Sequence, residues 1–169
     1  MPRLLVMAAT LAAALALAGC QSTATDDYDP IVAQFYIEVP PQVPGSTLAQ
    51  LPRSGVQIVV SPRPVLGEAD LRNVELVKVD LGLCLMFEFT TESSRDLFRL
   101  SASNLGRRLV VTLNGKPFGA RLIDGPIQGG QLFMFVELPD EELGETAINL
   151  KRTAHEVQTA VAQGRGKKK

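Results

Sequence analysis

Tryptophan is absent from this chain of 169 residues, histidine occurs once and cysteine twice. A structural zinc site built from Cys and His takes four such ligands, and this chain has only three in all, so His155 has too few companions to form one. Sugar-cleaving sites usually stack their substrate on aromatic rings, yet aromatic residues make up only 5% of the chain. The formal net charge of −1 gives no basis for binding nucleic acid. We therefore expect no metal, no cofactor and no nucleic-acid partner.

The longest apolar run lies at the N-terminus. Residues Leu4 to Ala18 are almost all Ala, Leu, Val and Met, and they follow the basic Arg3. Such a segment is typical of a secretory signal and is short for a membrane-spanning helix. Its end, Leu17-Ala18-Gly19-Cys20, resembles a bacterial lipobox. The resemblance implies cleavage before Cys20 and attachment of lipid to its thiol. A plain signal peptide or an N-terminal membrane helix is the alternative.

Lipidation at Cys20 predicts a protein tethered to the bacterial cell envelope and facing the periplasm, since two acyl chains anchor stably. Gln21 follows the cysteine where inner-membrane retention would favour Asp, so the outer membrane is mildly favoured. Signal removal takes away Arg3 and no acid, which leaves a formal charge of −2. The remaining cysteine, Cys84, lies in an apolar run and is predicted to be a buried, inert thiol.

The sequence divides into four segments by composition. Residues 1–19 are the predicted signal peptide, and residues 20–30 form a polar, acidic spacer that we expect to be flexible. Residues 31–163 are long enough for one domain with its own core. Residues 164–169 are glycine-rich and basic, and we expect a disordered tail there.

Alternation and β-branched residues indicate a series of strands. Leu81 to Phe89 is the strongest, with Leu81, Leu85 and Phe87 on one face and Cys84 on the other. Asn114-Gly115 is a two-residue hairpin signal between two strands. A run apolar on both faces, Leu132 to Leu138, predicts a central strand of the sheet. The predicted strands are Ile31 to Glu38, Val56 to Val60, Val74 to Val79, Leu81 to Phe89, Leu109 to Leu113, Phe118 to Ile123 and Leu132 to Leu138.

Two helices are predicted. The first begins at Thr90 or Thr91, whose hydroxyl can cap free N–H groups, and ends near Gly106. Its predicted buried stripe comprises Ser94, Leu97, Phe98, Ser101 and Leu105. The second helix begins after Pro139 with three acidic residues. Its predicted apolar stripe comprises Leu143, Ala147, Leu150, Ala154, Val157 and Val161. The fold class that follows is α+β, an antiparallel or mixed sheet with two main helices largely on one face.

Several motifs in this order resemble the periplasmic P1 head subdomain of the SecD protein-export family. They are Phe87-Glu88-Phe89-Thr90-Thr91-Glu92, a helix ending in Asn104-Leu105-Gly106-Arg107-Arg108-Leu109, and Val111-Thr112-Leu113-Asn114-Gly115-Lys116. The resemblance covers about residues 65–150. The sequence departs from the family after Gly130 and lacks every transmembrane segment of SecD, so proton coupling cannot be carried over. The resemblance implies a rigid extracytoplasmic module that contacts other proteins, among them exported chains.

Candidate catalytic residues are few. Glu88, Glu92 and Asp96 lie close together in sequence, and paired carboxylates can hydrolyse glycosides. His155 is off the apolar stripe of the second helix, and we interpret it as a solvated side chain. Arg107 and Arg108 follow the first helix, where they either complement the helix dipole or bind a carboxylate or phosphate.

Three functions remain open from the sequence. The favoured one is a non-enzymatic, lipid-anchored module that binds an envelope protein or an exported chain, as an accessory to protein export or envelope assembly. Arg107, Arg108, Val157 and Val161 are its predicted partner-binding residues. The alternatives are a structural lipoprotein that tethers membrane to wall, and a small hydrolase that uses carboxylates.

Overall fold

A computed structural model describes residues 28–166. The signal peptide, the lipidated Cys20 and most of the spacer predicted from the sequence lie outside these residues. A short 3₁₀ turn, Glu68–Asp70, precedes the fifth strand. In chain order the elements are β1 (Ala33–Ile37), β2 (Thr47–Gln50), β3 (Gln57–Val60), β4 (Leu66–Gly67), β5 (Leu71–Val79), β6 (Gly82–Phe89), α1 (Thr91–Ser103), β7 (Arg108–Leu113), β8 (Lys116–Leu122), β9 (Gln131–Met134) and α2 (Asp140–Gly166).

Every strand pairing in the described chain is antiparallel. One sheet has the order β4-β1-β7-β8, a second has the order β5-β6-β9, and β2 pairs with β3 as a separate hairpin. The α+β fold class predicted from the sequence is therefore confirmed. Strands β2 and β4 were not predicted, because both are short and β2 has three exposed residues of four.

Aromatic side chains join the two larger sheets. The ring of Phe35 in β1 lies edge-on to Phe87 and Phe89 of β6, with centroid distances of 5.1 and 5.4 Å. Leu97 of α1 and Leu150 of α2 are buried in the same core. Burial of such side chains supplies the main free energy that holds these layers together.

Two residues of the strongest predicted strand occupy different environments. Cys84 is buried, as predicted. Leu81, predicted to share the core face with Phe87, lies in the turn before β6 and is 85% exposed. The alternation of a strand no longer applies where the chain has already turned, which explains the error.

The predicted hairpin between β7 and β8 is confirmed. Asn114 and Gly115 both have positive φ, 48° and 77°, as a type I′ turn requires. The Asn114 side chain also accepts a hydrogen bond from the N–H of Val32 at 2.8 Å. The turn therefore joins the chain entering β1 to the β7–β8 hairpin.

The predicted start of α1 is also confirmed, since the Thr90 hydroxyl accepts a hydrogen bond from the N–H of Ser93 at 3.2 Å. The predicted buried stripe is partly wrong: Leu97 and Ser101 are buried, whereas Phe98 and Leu105 are exposed. The buried face also includes Ser93, which the predicted stripe left out, and its hydroxyl finds partners within the protein. The Ser101 hydroxyl donates to Leu97 and accepts from the N–H of Ile127 at 2.8 Å.

The prediction of a central strand at Leu132 to Leu138 is wrong. The strand there, β9, ends at Met134 and pairs with β6 at the edge of the sheet. After β9 the chain passes alongside β8, where the N–H of Glu137 donates to Phe118. The outward face of this run is also apolar, but it is not covered, since Phe133 and Phe135 remain partly exposed there.

Helix α2 packs mainly across β5, in the same sheet as β9. The predicted stripe is buried from Leu143 to Ala154, but Val157 is half-buried and Val161 is exposed. The helix continues to Gly166. Helix α2 therefore extends into the first three residues of the predicted tail, since a glycine weakens a helix without having to end it. None of the helices in residues 28–166 combines the length and apolarity needed to cross a membrane.

The chain entering β1 rests on α2. The guanidinium carbon of Arg152 lies 4.7 Å from the ring centroid of Tyr28, a cation–π contact. Three residues further along, the N–H of Ile31 donates to the Thr153 hydroxyl at 3.1 Å. The last residues of the predicted flexible spacer are thus in contact with the folded domain.

Candidate protein-binding groove

A groove of about 740 Å³ opens beside the N-terminal half of α1. Its walls are the end of β6, the exposed side of α1 and the turn at residues 128–130, with one side chain from β5. We call it the arginine groove. Its principal side chains are Arg72, Glu88, Arg95, Phe98, Arg99 and Gln128.

Helix periodicity places three of these side chains together. Arg95, Phe98 and Arg99 are three and four positions apart, so they share one face of α1. Burial of Leu97 on the opposite side fixes the rotation of the helix. Phe98 is consequently 44% exposed, with one arginine on the preceding turn and one beside it. This face combines two cations with a large apolar ring.

The turn opposite α1 is shaped by glycine. Gly129 and Gly130 both have positive φ, 72° and 69°, a conformation that other residues adopt at a cost. The carbonyl of Gly130 accepts a hydrogen bond from the N–H of Phe89 at 2.9 Å. A Cβ atom at Gly130 would lie 2.8 Å from the Cβ atom of Ser94, so only glycine lets the turn approach α1 this closely.

The groove carries more positive than negative charge. Arg72 forms an ion pair with Glu88 across β5 and β6. Asp96 and Arg99 form a looser pair at 3.4 Å, in which both side chains are largely exposed. Arg95 has no hydrogen-bond or ion-pair partner among residues 28–166. The arginines outnumber the carboxylate that lines the groove, which favours an anionic ligand.

The structure separates the three carboxylates considered as catalytic candidates. Glu88 lines the groove but is held by Arg72, while Glu92 and Asp96 are exposed on α1 and do not line it. His155 is exposed on α2, as its position off the stripe predicted. Within residues 28–166, no three His, Cys, Asp or Glu side chains are grouped so as to hold a metal ion.

The two arginines predicted to bind a partner lie elsewhere. Arg108 donates to both carboxylate oxygens of Glu38, at 2.9 and 2.6 Å. This ion pair lowers the pKa of Glu38, although burial opposes the effect, and it raises the pKa of Arg108. Arg107 is exposed and donates to the side chain of Asn104 at 3.1 Å. Neither arginine lines the groove.

The C-terminal part of α2 holds the other predicted partner-binding residues. The Gln158 amide donates to the carbonyls of Ala69 and Leu71, at 2.8 and 3.0 Å. These bonds fasten the helix between Val157 and Val161, so that Val157 is half-buried and Val161 is 41% exposed.

Sequence reasoning missed the groove, although part of its signal was present. Arg95, Phe98 and Arg99 have helical spacing directly after a correctly predicted cap. A buried face centred on Leu97 and Ser101 predicts that these three side chains point outward. Arg72 and the turn at residues 128–130 join them only through sheet pairing, which the local sequence does not specify.

No protein-family model matches this sequence, and no curated protein matches it either. Solved structures of SecDF are similar to it. A crystal structure of SecDF in a super-membrane-facing form has 24% sequence identity and a TM-score of 0.56, over 73% of this chain. A structure of SecDF described as a membrane component that enhances protein export has 21% identity and a TM-score of 0.55, over 74% of this chain.

The chain has a SecD-like fold. The resemblance predicted from the sequence is therefore confirmed at the level of the fold. This chain spans 18% and 63% of the two SecDF chains. At these identities the likeness establishes architecture, and any shared activity is a matter for proposal.

Proposed function

We propose that this protein is a non-catalytic, lipid-anchored module of the bacterial cell envelope that binds segments of other proteins during export or envelope assembly. The observation that carries the proposal is the arginine groove on a SecD-like fold. The fold is similar to that of SecDF, a membrane component described as enhancing protein export. An open groove with an exposed aromatic ring suits the binding of a polypeptide segment.

The groove gives little support to a hydrolase. Inverting and retaining glycosidases both place two carboxyl groups on either side of the scissile bond. Glu88 pairs with Arg72 instead, and Glu92 and Asp96 lie outside the groove. These three carboxylates therefore do not form a facing pair, and binding is the better interpretation of the site.

The groove can be tested by photo-crosslinking in cells. A photoreactive amino acid replaces Phe98 in the full-length protein, and a matched control places it at Leu48, which is 60% exposed and does not line the groove. We expect protein adducts from position 98 and few from position 48. Equal adducts at both positions, or none at either, would contradict protein binding in the groove.

The anchor needs a separate test, because Cys20 lies outside the described residues. Cys20→Ser removes the thiol that lipid attachment requires, while Cys84→Ser is the matched control at a buried thiol. Cells are labelled with a radioactive fatty acid. We expect label on the wild type and on the Cys84 variant, and none on the Cys20 variant. Label on all three proteins would mean that Cys20 is not the lipidated residue.

A further inference from the structure

We propose that the arginine groove selects segments that carry a carboxylate side chain next to apolar side chains. This inference rests on the proposed function and specifies the chemistry of the segment that is bound. It is carried by the juxtaposition of Arg95, Arg99 and Phe98 with partly exposed apolar side chains on the outer face of the β5-β6-β9 sheet.

Arg95 and Arg99 are suited to a carboxylate. They are four positions apart on α1, so their guanidinium groups project from adjacent turns into the same groove. A guanidinium presents paired N–H donors that match the two oxygens of a carboxylate. The N-terminal end of α1, a helix of 13 residues, adds to the positive potential of the same wall.

The charges already present leave this positive potential available. Asp96 holds Arg99 at 3.4 Å with both side chains in solvent, and such exposed pairs contribute little. Glu88 is engaged by Arg72 at the far wall, so it does not neutralise Arg95. A ligand carboxylate would therefore meet one unpaired and one weakly paired guanidinium.

Apolar surface adjoins the groove on the sheet side. Glu88 is two positions from Met86 on β6, so their side chains share the outer face of the sheet. Met86 pairs with Phe133 of β9, whose side chain is 39% exposed. Together with Phe98 these side chains offer apolar contacts beside the arginines. Charge and apolarity side by side favour a polypeptide segment over a free inorganic anion.

The test uses the full-length mature protein and short fluorescein-labelled peptides of alternating leucine and serine. The peptides differ at a central pair of residues, which is glutamate, glutamine or lysine. Binding is measured by fluorescence anisotropy. We expect the glutamate peptide to bind about tenfold more tightly than the glutamine peptide, since charge-assisted hydrogen bonds are the stronger ones. The lysine peptide should bind most weakly.

Two double variants identify the groups responsible. Arg95→Gln with Arg99→Gln should reduce binding of the glutamate peptide to the level of the glutamine peptide. Arg63→Gln with Lys116→Gln removes the same charge from exposed positions outside the groove and should leave the preference intact. A preference that survives the first variant, or disappears in the second, would overturn the assignment to Arg95 and Arg99.

The remaining outcomes separate this inference from the proposed function. Equal binding of the glutamate and glutamine peptides would overturn carboxylate selection, while adducts from position 98 in cells would still support protein binding. Failure of both experiments would overturn the proposed function as well. Competition by inorganic phosphate, or Arg95-dependent binding to phosphatidylglycerol vesicles that matches binding of the glutamate peptide, would show that the groove recognises anions in general and would overturn the peptide assignment.

Discussion

Arg108 and Glu38 fasten the start of β7 to the chain that leaves β1. The Arg108 side chain donates to both carboxylate oxygens, and its backbone N–H donates to Oε2 of Glu38 at 2.9 Å. Glu38 also lies opposite Val60 in an isolated bridge to β3. The backbone of Glu38 thus pairs with the β2–β3 hairpin while its carboxylate holds Arg108 of the large sheet, so Arg108 has a structural role whether or not it meets a partner.

This pair predicts a pH dependence of stability. Hydrogen bonds from Arg108 lower the pKa of Glu38 below its ordinary value, against the opposing effect of burial. The pair therefore stabilises the fold above the unfolded-state pKa, and its contribution is lost as the pH falls through the lowered folded-state pKa.

Glu38→Gln should lower the free energy of unfolding by about 1 kcal/mol at neutral pH, because both side chains remain partly in water. The difference from the wild type should shrink in strongly acidic solution, below the lowered pKa of Glu38, where the wild-type carboxylate also becomes protonated. Urea unfolding at both pH values measures it. A difference that does not change with pH would show that the ion pair is not its source.

Local chemistry decided which parts of the fold were predictable. The cap of α1 at Thr90 and the β7–β8 turn at Asn114-Gly115 were both predicted, because each signal acts within a few residues. The buried face of α1 was predicted only in part, since Ser101 was placed on it but Ser93 was not. The Ser93 hydroxyl donates to Asp70, which lies 23 positions away. Only the tertiary fold supplies such partners, and hydrophobicity alone cannot anticipate them.

The candidate site shows the same division. The spacing of Arg95, Phe98 and Arg99 is visible in the sequence, and so is the pair of glycines that shapes the opposite wall. What brings these features together is the pairing of β6 with both β5 and β9. That pairing was not predicted, because Leu132 to Leu138 reads equally well as a central strand and as an edge strand with exposed aromatic rings.

The β7–β8 turn should be sensitive to substitution at Gly115. Gly115→Val places a β-branched residue at a φ of 77°, and we expect a loss of about 1–2 kcal/mol of stability. Gly125→Val is the matched control, because Gly125 lies in a turn with open space and without positive φ. Denaturant midpoints of the two variants test this. Equal midpoints would argue against the type I′ turn.

The glycine pair of the groove predicts two different outcomes. Gly129→Ala meets open space and should cost only the strain of its positive φ, roughly 1 kcal/mol. Gly130→Ala has a similar φ but collides with Ser94, so it should destabilise the protein further and displace the turn from α1. The difference between the unfolding midpoints of the two variants measures the cost of the collision, since the strain from φ is common to both. Variants of equal stability would mean that the turn does not rest against Ser94.

The packing of α2 on the sheet predicts a clear contrast between neighbouring positions. Leu150 is buried, and Leu150→Ala should cost roughly 2–5 kcal/mol through lost contacts and a cavity. Ile148 is 59% exposed, and Ile148→Ala should change stability by less than about 0.5 kcal/mol. Thermal or urea unfolding measures both. A large effect at Ile148 would require a different rotation of the helix.

The end of α2 separates stability from partner binding. Val157 is half-buried next to Gln158, whose amide fastens the helix to Leu71, so Val157→Ser should cost about 1 kcal/mol. Val161 lies one turn beyond that attachment and is 41% exposed, so Val161→Ser should leave the unfolding midpoint unchanged.

Crosslinking from position 161 then decides whether the exposed apolar end of α2 serves an interface. Adducts from a photoreactive residue at position 161, together with unchanged stability of the Val161→Ser variant, would support its predicted role in binding a partner. If Val161→Ser instead lowers stability as much as Val157→Ser, the side chain belongs to the core. Unchanged stability without adducts would remove Val161 from the predicted binding residues. Partner binding would then rest on the arginine groove, which the experiments on Arg95 and Phe98 test.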